Sequence, residues 1–238
     1  MQQRLPSLLA EPILFAHRGA SAYAPENTLE SFNLALKLGA TGIESDIWLS
    51  RDGALVLDHD GVVKKRFSSR PISEYNRSEL PSHIPTLDEL LDHCGTHYQL
   101  SLDVKDPAVF QTIENTVSNV DESMLERLWL CHPNSELLIQ NRSVASRCKL
   151  VDSTRLAKIK EGPERRAANL AASGIQACNL HHTDWTGGLV ALFHRFNIVT
   201  FGWDMQHETI LENAIRMGLD GVFSDWPDRM IEAMKNQS

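Results

Sequence analysis

The chain has 238 residues, of which 42% are apolar and 23% charged, the usual balance of a folded globular protein. Its 31 acidic and 23 basic side chains give a net charge of −8, which argues against an extended binding surface for nucleic acid or for an anionic membrane. A local basic pocket for one phosphate group is compatible with this charge, because distant charges are screened beyond roughly 8 Å at physiological salt. We therefore expect a small-molecule ligand.

The sequence has no pattern typical of a membrane-spanning helix or a signal peptide. No segment reaches the roughly 18 apolar residues of a membrane-spanning helix, and residues 1–7 lack the apolar core of a signal peptide. We expect a cytoplasmic protein without stable membrane insertion.

The four cysteines are isolated, with no Cys-x-x-Cys pair, and are typical of small buried thiols rather than of a disulfide framework or a zinc site: Cys94, Cys131, Cys148 and Cys178.

The first part of the chain predicts a strand, a helix and a second strand. The apolar run 13–17 is typical of a buried strand, and 28–39 has the pattern of a helix that begins at a Thr or Asn cap and ends at Gly39. A second strand is predicted over 42–49.

An Asp-Gly turn signal at residues 52 and 53 follows the second strand and predicts a hairpin over 54–58 that delivers His59. Residues 60–84 are polar and predicted to be irregular.

The remaining sequence continues to alternate apolar runs with amphipathic segments. Six more strands are predicted, over 98–104, 125–131, 148–151, 174–180, 198–203 and 221–223, and helices over 85–91, 108–120, 164–173, 186–196, 207–218 and 228–235. Eight strands with intervening helices indicate an α/β fold, a (β/α)₈ TIM barrel of one domain over 1–238. A doubly wound open sheet is the alternative, because periodicity alone does not show closure.

Charged side chains gather where the first three predicted strands end, which in a barrel is the mouth that holds active sites. Glu44 and Asp46 are two residues apart on one strand, so both carboxylates face the same side. Asp103 and Lys105 repeat the spacing on the next strand. Any one pair alone is more typical of a surface salt bridge or a helix cap. Together, three carboxylates favour a site for a hard divalent cation, Mg²⁺ or Ca²⁺.

His17, Arg18 and His59 complete a set that suits cleavage of a phosphodiester. This reaction needs a cation on the phosphate oxygens, a base for the attacking hydroxyl and an acid for the leaving alkoxide. Histidine exchanges protons near neutral pH, and arginine presents a planar fork to phosphate oxygens. The residues therefore predict metal-assisted phosphodiester hydrolysis.

The chain resembles the glycerophosphodiester phosphodiesterase family, a metal-dependent barrel family that hydrolyses glycerophosphodiesters to glycerol 3-phosphate and an alcohol. The resemblance is strongest in the first 60 residues and extends along most of the chain. The motifs that carry it are His17-Arg18-Gly19-Ala20, Pro25-Glu26-Asn27-Thr28, Ile43-Glu44-x-Asp46, Asp52-Gly53, His59-Asp60, Ile84-Pro85-Thr86-Leu87-x-Glu89 and Asp220-Gly221-Val222-Phe223-Ser224-Asp225-Trp226-Pro227.

The resemblance implies roles for individual residues. His17 and His59 would be the general acid and base, in an order that the sequence does not settle, and Glu44, Asp46 and Asp103 would hold the metal. In the same way, Arg18 and Lys105 would bind phosphate, and Trp203 would form an apolar wall against the glycerol carbons. Attack on phosphorus by water or by a neighbouring glycerol hydroxyl, through a cyclic phosphate, stays open. The diester would be glycerophosphocholine, glycerophosphoethanolamine or a lysophospholipid.

Three features depart from the family pattern. The family usually has Glu where Asp103 stands, and the segment after Trp203, beginning with Asp204, differs. The family insertion after the His-Asp pair is shortened here to residues 61–84. His181 and His182 end a predicted strand, but no family motif covers them, so a structural and a functional role both stay open.

The other histidines are taken as structural, namely His83, His93, His97, His132, His194 and His207. Two other functions stay open: a non-catalytic phosphodiester-binding module, and a phospholipase that docks on membranes.

Overall fold

A computed structural model of the protein describes residues 5–65 and 68–237, the side chain of Lys65 excepted. The strands are β1 Ile13–Ala16, β2 Gly42–Leu49, β3 Leu55–Leu57, β4 Val62–Lys65, β5 Ser68–Pro71, β6 Gln99–Val104, β7 Leu128–His132, β8 Lys149–Thr154, β9 Ala177–His181, β10 Val199–Trp203 and β11 Gly221–Ser224. The α-helices are α1 Leu29–Lys37, α2 Leu87–Cys94, α3 Ile113–Asp121, α4 Ser135–Asn141, α5 Pro163–Ala172, α6 Gly187–Arg195, α7 Glu208–Arg216 and α8 Pro227–Lys235.

Eight parallel strands in the described part of the chain close into a barrel, in the order β1-β2-β6-β7-β8-β9-β10-β11. Closure rests on β1, which pairs with β11 along its whole length and with β2 through Phe15–Gly42 and Ala16–Ile43. The predicted TIM barrel is therefore confirmed over the open sheet. None of the helices described here is long and apolar enough to cross a bilayer.

Aromatic side chains pack together inside the barrel. The rings of Phe15 and Phe223 stack with centroids 4.5 Å apart, and Phe201 packs edge-on against Phe15. Gly42 makes room for this layer, because a Cβ there would lie 2.5 Å from the Phe15 ring. Core packing therefore requires a glycine at position 42.

Asp220 joins the N-terminal segment to the bottom of the barrel and is fully buried before β11. Its Oδ1 accepts hydrogen bonds from the Ser7 hydroxyl at 2.6 Å and from the backbone N–H groups of Leu8 and Leu9. Its Oδ2 accepts from the Thr200 backbone N–H at 2.7 Å and lies 2.8 Å from His194 Nε2. These bonds outweigh burial and lower the pKa of Asp220. The structural role expected for His194 is consistent with this contact.

The segment predicted to be irregular, 60–84, is partly ordered, and that prediction was wrong. In its described residues, 60–65 and 68–84, β4 and β5 pair in antiparallel fashion, and two 3-10 turns follow, Ile72–Glu74 and Arg77–Glu79. Its apolar residues form a small cluster with Val56 and Trp48, made of Val63, Ile72, Tyr75, Leu80 and Ile84. The short insertion therefore packs beside β2 and β3.

Two other predictions need correction, and one helix was missed. The helix predicted over 108–120 is divided into a 3-10 turn, Pro107–Gln111, and α3. The strand predicted over 125–131 begins only at Leu128, because Met124 and Leu125 are buried by a 3-10 turn instead. Helix α4 was not predicted.

Asp152 on β8 is a carboxylate buried in the barrel wall. It is fully buried, neither carboxylate oxygen has a hydrogen-bond partner, and Arg166 Nε lies 3.6 Å away. Burial raises the pKa of Asp152 to about 6, although Arg166 opposes this. Because the unfolded value is about 3.9, folding favours the protonated carboxyl, and the carboxyl contributes less stability as pH rises from about 4 to about 6.

We therefore expect Asp152→Asn to stabilise the protein at pH 7 but not at pH 4. The gain at pH 7 is at most about 3 kcal/mol, the free energy that the pKa difference represents. Melting temperatures measured at both pH values check this, with the exposed Asp92→Asn as control. An Asp152→Asn effect that is the same at pH 4 and pH 7 would contradict the assignment.

Candidate active site

The chemistry-bearing side chains meet at the carboxyl ends of the barrel strands. All eight residues selected from the sequence line one cleft of about 370 Å³: His17, Arg18, Glu44, Asp46, His59, Asp103, Lys105 and Trp203. The structure thus brings the whole set together, while the role of each residue stays a prediction.

Strand β2 places two carboxylates in the cleft. Glu44 and Asp46 are 5% and 3% exposed, and Ser45 between them faces outward to donate a hydrogen bond to Asn27. This is the alternation expected of a strand. The parallel register sets Asp46 beside Asp103 of β6. Ligand oxygens of Glu44, Asp46 and Asp103 lie within 4.8 Å of one another.

The three carboxylates of this cluster repel one another, and a bound cation would offset that repulsion. Burial, and then repulsion from Asp46 and Asp103, raise the pKa of Glu44 against the opposing effect of His17. Asp46 Oδ2 is buried and has no hydrogen-bond partner. A set of carboxylate oxygens with an unpartnered member fits a hard divalent cation, which takes oxygen ligands and offsets their charge. The donor set therefore fits Mg²⁺ or Ca²⁺.

Two cationic side chains, Lys105 and Arg18, lie beside the carboxylates. Lys105 Nζ lies 2.8 Å from Asp46 Oδ1 and 3.3 Å from Asp103 Oδ2. The Arg18 guanidinium lies 2.9 Å from Glu26 Oε2 and 3.7 Å from Asp46 Oδ2. Each carries several N–H donors, so the two side chains can bind carboxylate and phosphate oxygens together.

A tight turn after β1 sets the position of Arg18. Its backbone φ is 54°, in the left-handed region, and its N–H donates to Glu44 Oε2 at 2.9 Å. The Arg18 carbonyl accepts hydrogen bonds from the Asn27 N–H and the Ser31 hydroxyl. Gly19 follows at φ 81°, and a Cβ there would lie 2.4 Å from Ser31 Oγ. The Pro-Glu-Asn-Thr motif therefore supports an uncommon backbone conformation beside the carboxylates.

The two histidines have different surroundings. His17 Nδ1 lies 2.7 Å from Asp225 Oδ1, and its Nε2 lies 3.8 Å from Glu44 Oε2. Burial lowers the pKa of His17, but Glu44 and Asp225 outweigh burial and raise it. His59 is more exposed and lies 3.0 Å from Asp60 through Nδ1. It follows β3, so the hairpin predicted to deliver it is present.

The sequence of residues 17–229 matches the family model described as "Glycerophosphoryl diester phosphodiesterase family". The chain belongs to this family. It is therefore a phosphoric diester hydrolase with a glycerophosphodiester phosphodiesterase fold, as the resemblance implied.

Individual relatives agree with the family assignment. A glycerophosphodiester phosphodiesterase of Bacillus altitudinis is 25% identical over 92% of this chain and 96% of its own. A solved glycerophosphodiester phosphodiesterase structure from Thermotoga maritima has a TM-score of 0.78 at 23% identity, over 94% of this chain and 99% of that one. A phosphodiesterase from Oleispira antarctica was solved with the product sn-glycerol-3-phosphate. Its structure has a TM-score of 0.79 at 22% identity, over 94% of this chain and 97% of that one.

Part of the cleft was not predicted from the sequence. Asp225 was quoted within a motif but given no role, although it holds His17. The wall opposite the carboxylates includes Ser153, Arg155, Lys158 and Asn179, none of which belongs to a quoted motif. Their only signal in the sequence was their place at or just after the ends of predicted strands.

Proposed function

We propose that the protein hydrolyses glycerophosphodiesters to glycerol 3-phosphate and an alcohol with a divalent cation, Mg²⁺ or Ca²⁺. The observation that carries this proposal is the convergence of three carboxylates, two cationic side chains and two histidines in one barrel-mouth cleft. The family assignment and the product bound in the Oleispira antarctica neighbour support it. We infer a small-molecule diester as substrate.

Glu44, Asp46 and Asp103 would hold the cation, which when bound offsets negative charge on the phosphate and the nucleophile. Asp103 is shorter than the Glu usual in the family, but the β2–β6 register places it directly beside Asp46. Arg18 and Lys105 would orient the phosphate through their free N–H donors and stabilise charge that develops on its oxygens.

His17 and His59 would exchange protons with the attacking hydroxyl and the leaving alkoxide. The His17 ring is fixed at Nδ1 by Asp225, so its Nε2 faces the cleft beside Glu44. His59 reaches the cleft from the loop after β3. The order of acid and base, and the choice between water and a neighbouring glycerol hydroxyl as nucleophile, are left to experiment.

The opposite wall would contact the glycerol or alcohol part of the substrate. Trp203 offers an apolar face. Asn179 is 4% exposed, donates to Ser153 Oγ at 3.2 Å and has an unpartnered Oδ1. An unpartnered buried acceptor in the cleft wall is suited to a substrate hydroxyl.

Release of glycerol 3-phosphate from glycerophosphocholine by the purified protein tests the proposal, with Mg²⁺ or Ca²⁺ added and with EDTA. Metal-dependent release supports it. Release from a lysophospholipid instead would keep the chemistry and change the substrate. No release from either diester, with phosphodiester binding retained, would favour the binding module and contradict the proposal.

Asp225→Asn is expected to lower kcat by about 100-fold with a smaller change in KM, because an uncharged partner no longer fixes and stabilises the protonated His17 ring. Steady-state kinetics on the diester that is turned over check this. Asp228→Asn, a carboxylate on α8 that accepts from the Tyr23 hydroxyl, is the matched control. Equal kinetics in the Asp225 variant and the wild type would remove Asp225 from the mechanism.

A further inference from the structure

We propose a second cation site at the rim of the cleft, formed by His181, His182 and Asp204, for a divalent ion that accepts nitrogen ligands, such as Zn²⁺. The three residues lie where β9 and β10 end. Each offers one ligand atom, and these atoms lie within 4.8 Å of one another. The site is separate from the Glu44, Asp46 and Asp103 cluster, and the inference does not depend on the proposed function.

The His181 ring is held in place by contacts at both of its nitrogens. Its Nδ1 lies 2.7 Å from Thr183 Oγ1, and its Nε2 faces Asp204 Oδ2 at 3.1 Å. The Thr183 backbone N–H also donates to Nδ1, at 3.2 Å. Because Nδ1 accepts this hydrogen bond, the proton of the neutral ring lies on Nε2 and is shared with Asp204. An ion bound at Nε2 would displace this proton to Nδ1, where the Thr183 hydroxyl oxygen, 2.7 Å away, can accept it.

The carboxylate of Asp204 is available to a ligand on its exposed side. Among the ion pairs of the described residues, its carboxylate contacts only His181, and it is half-exposed. Arg155, which also lines this wall, is paired with Asp184 at 2.7 Å. Asp204 has a backbone φ of 62°, in the left-handed region. The chain departs from the family pattern at this residue.

The two imidazoles are already close together. The ring centroids of His181 and His182 lie 4.5 Å apart, and the His181 ring packs edge-on against Trp203 at 4.6 Å. Two nitrogen donors and one carboxylate suit zinc and related ions, whereas carboxylates alone suit Mg²⁺ and Ca²⁺. Ligand type therefore distinguishes the two sites. An ion here would join the ends of β9 and β10 beside Trp203.

Isothermal titration calorimetry of the full chain with Zn²⁺, in saturating Mg²⁺, tests the proposal. Wild type is expected to bind one Zn²⁺ that Mg²⁺ does not displace, and Glu44→Gln is expected to retain it. His181→Ala and Asp204→Asn should each weaken zinc binding by more than about 100-fold, since even residues that only orient a ligand contribute about 10- to 100-fold. The exposed His93→Ala, on α2, should bind as wild type does.

Cobalt provides a second readout, because its visible absorption reports nitrogen and oxygen ligands directly. Asp204→Asn is nearly the same size and can keep a hydrogen bond to His181, so it decides the test if His181→Ala unfolds. Thr183→Val should weaken binding about 10-fold by removing the hydroxyl beside Nδ1. A wild type without Mg²⁺-resistant zinc, or zinc bound equally by wild type and Asp204→Asn, would overturn the proposal.

Discussion

Glu44→Gln is expected to reduce kcat/KM by about 10³-fold or more while leaving the melting temperature in EDTA at least as high as that of the wild type. The loss corresponds to about 4 kcal/mol of transition-state stabilisation, the scale of a bound metal's contribution. Stability should not fall, because the glutamine oxygen can still accept from the Arg18 N–H. The variant also removes one of three crowded carboxylates.

Kinetics with saturating metal, and calorimetric melting in EDTA, measure the two halves of this prediction. Glu30→Gln, at an exposed position of α1, is the matched control and should change neither quantity. Wild-type turnover in Glu44→Gln would remove Glu44 from the site. Lost turnover together with a lower melting temperature would instead indicate that Glu44 acts mainly in folding.

Asp220→Ala is expected to destabilise the protein by about 3–5 kcal/mol, the cost of removing one partner from a buried, charged hydrogen-bond network. For a chain of this size the melting temperature should fall by roughly 10 °C. The variant leaves donors on Leu8, Thr200 and His194 without their acceptor. Asp220 should also make the wild type sensitive to acid, because its lowered pKa contributes stability that is lost as pH falls below about 4.

Thermal unfolding by circular dichroism checks this prediction, with the exposed Asp92→Ala expected within about 0.5 kcal/mol of wild type. An Asp220→Ala melting temperature close to that of Asp92→Ala would show that the N-terminal segment contributes little to stability. Unchanged kcat in the surviving folded fraction is also expected, since Asp220 lies at the end of the barrel away from the mouth.

Sequence patterns predicted the barrel strands well where turn signals bounded an apolar run. The run over 42–49 matches β2, which lies between Gly39 and the Asp52-Gly53 turn. Patterns failed where burial did not imply a regular element. Met124 and Leu125 are buried in a 3-10 turn rather than in β7, and α4 buries only Leu138, too little for a periodic signal.

The candidate site was predictable as far as it depends on one strand at a time. Side chains alternate between the two faces of a strand, which places Glu44 and Asp46 on the same side of β2. Only the register between β2 and β6 shows that Asp46 adjoins Asp103. The bond between His17 and Asp225 spans 208 positions and depends on closure of β1 against β11. Such contacts arise from tertiary packing, which local patterns do not encode.

The two walls of the cleft come from different parts of the chain. The carboxylates, the cations Arg18 and Lys105, and both histidines belong to the first half, whereas Ser153, Asn179 and Trp203 come from β8 to β10. On the proposed roles, the first half of the chain therefore supplies the reaction chemistry apart from Asp225, and the second half supplies most of the contacts that would choose the substrate. Substitutions at Ser153 or Asn179 should change which diester is preferred without abolishing turnover, so this barrel is suited to diversification from its second half.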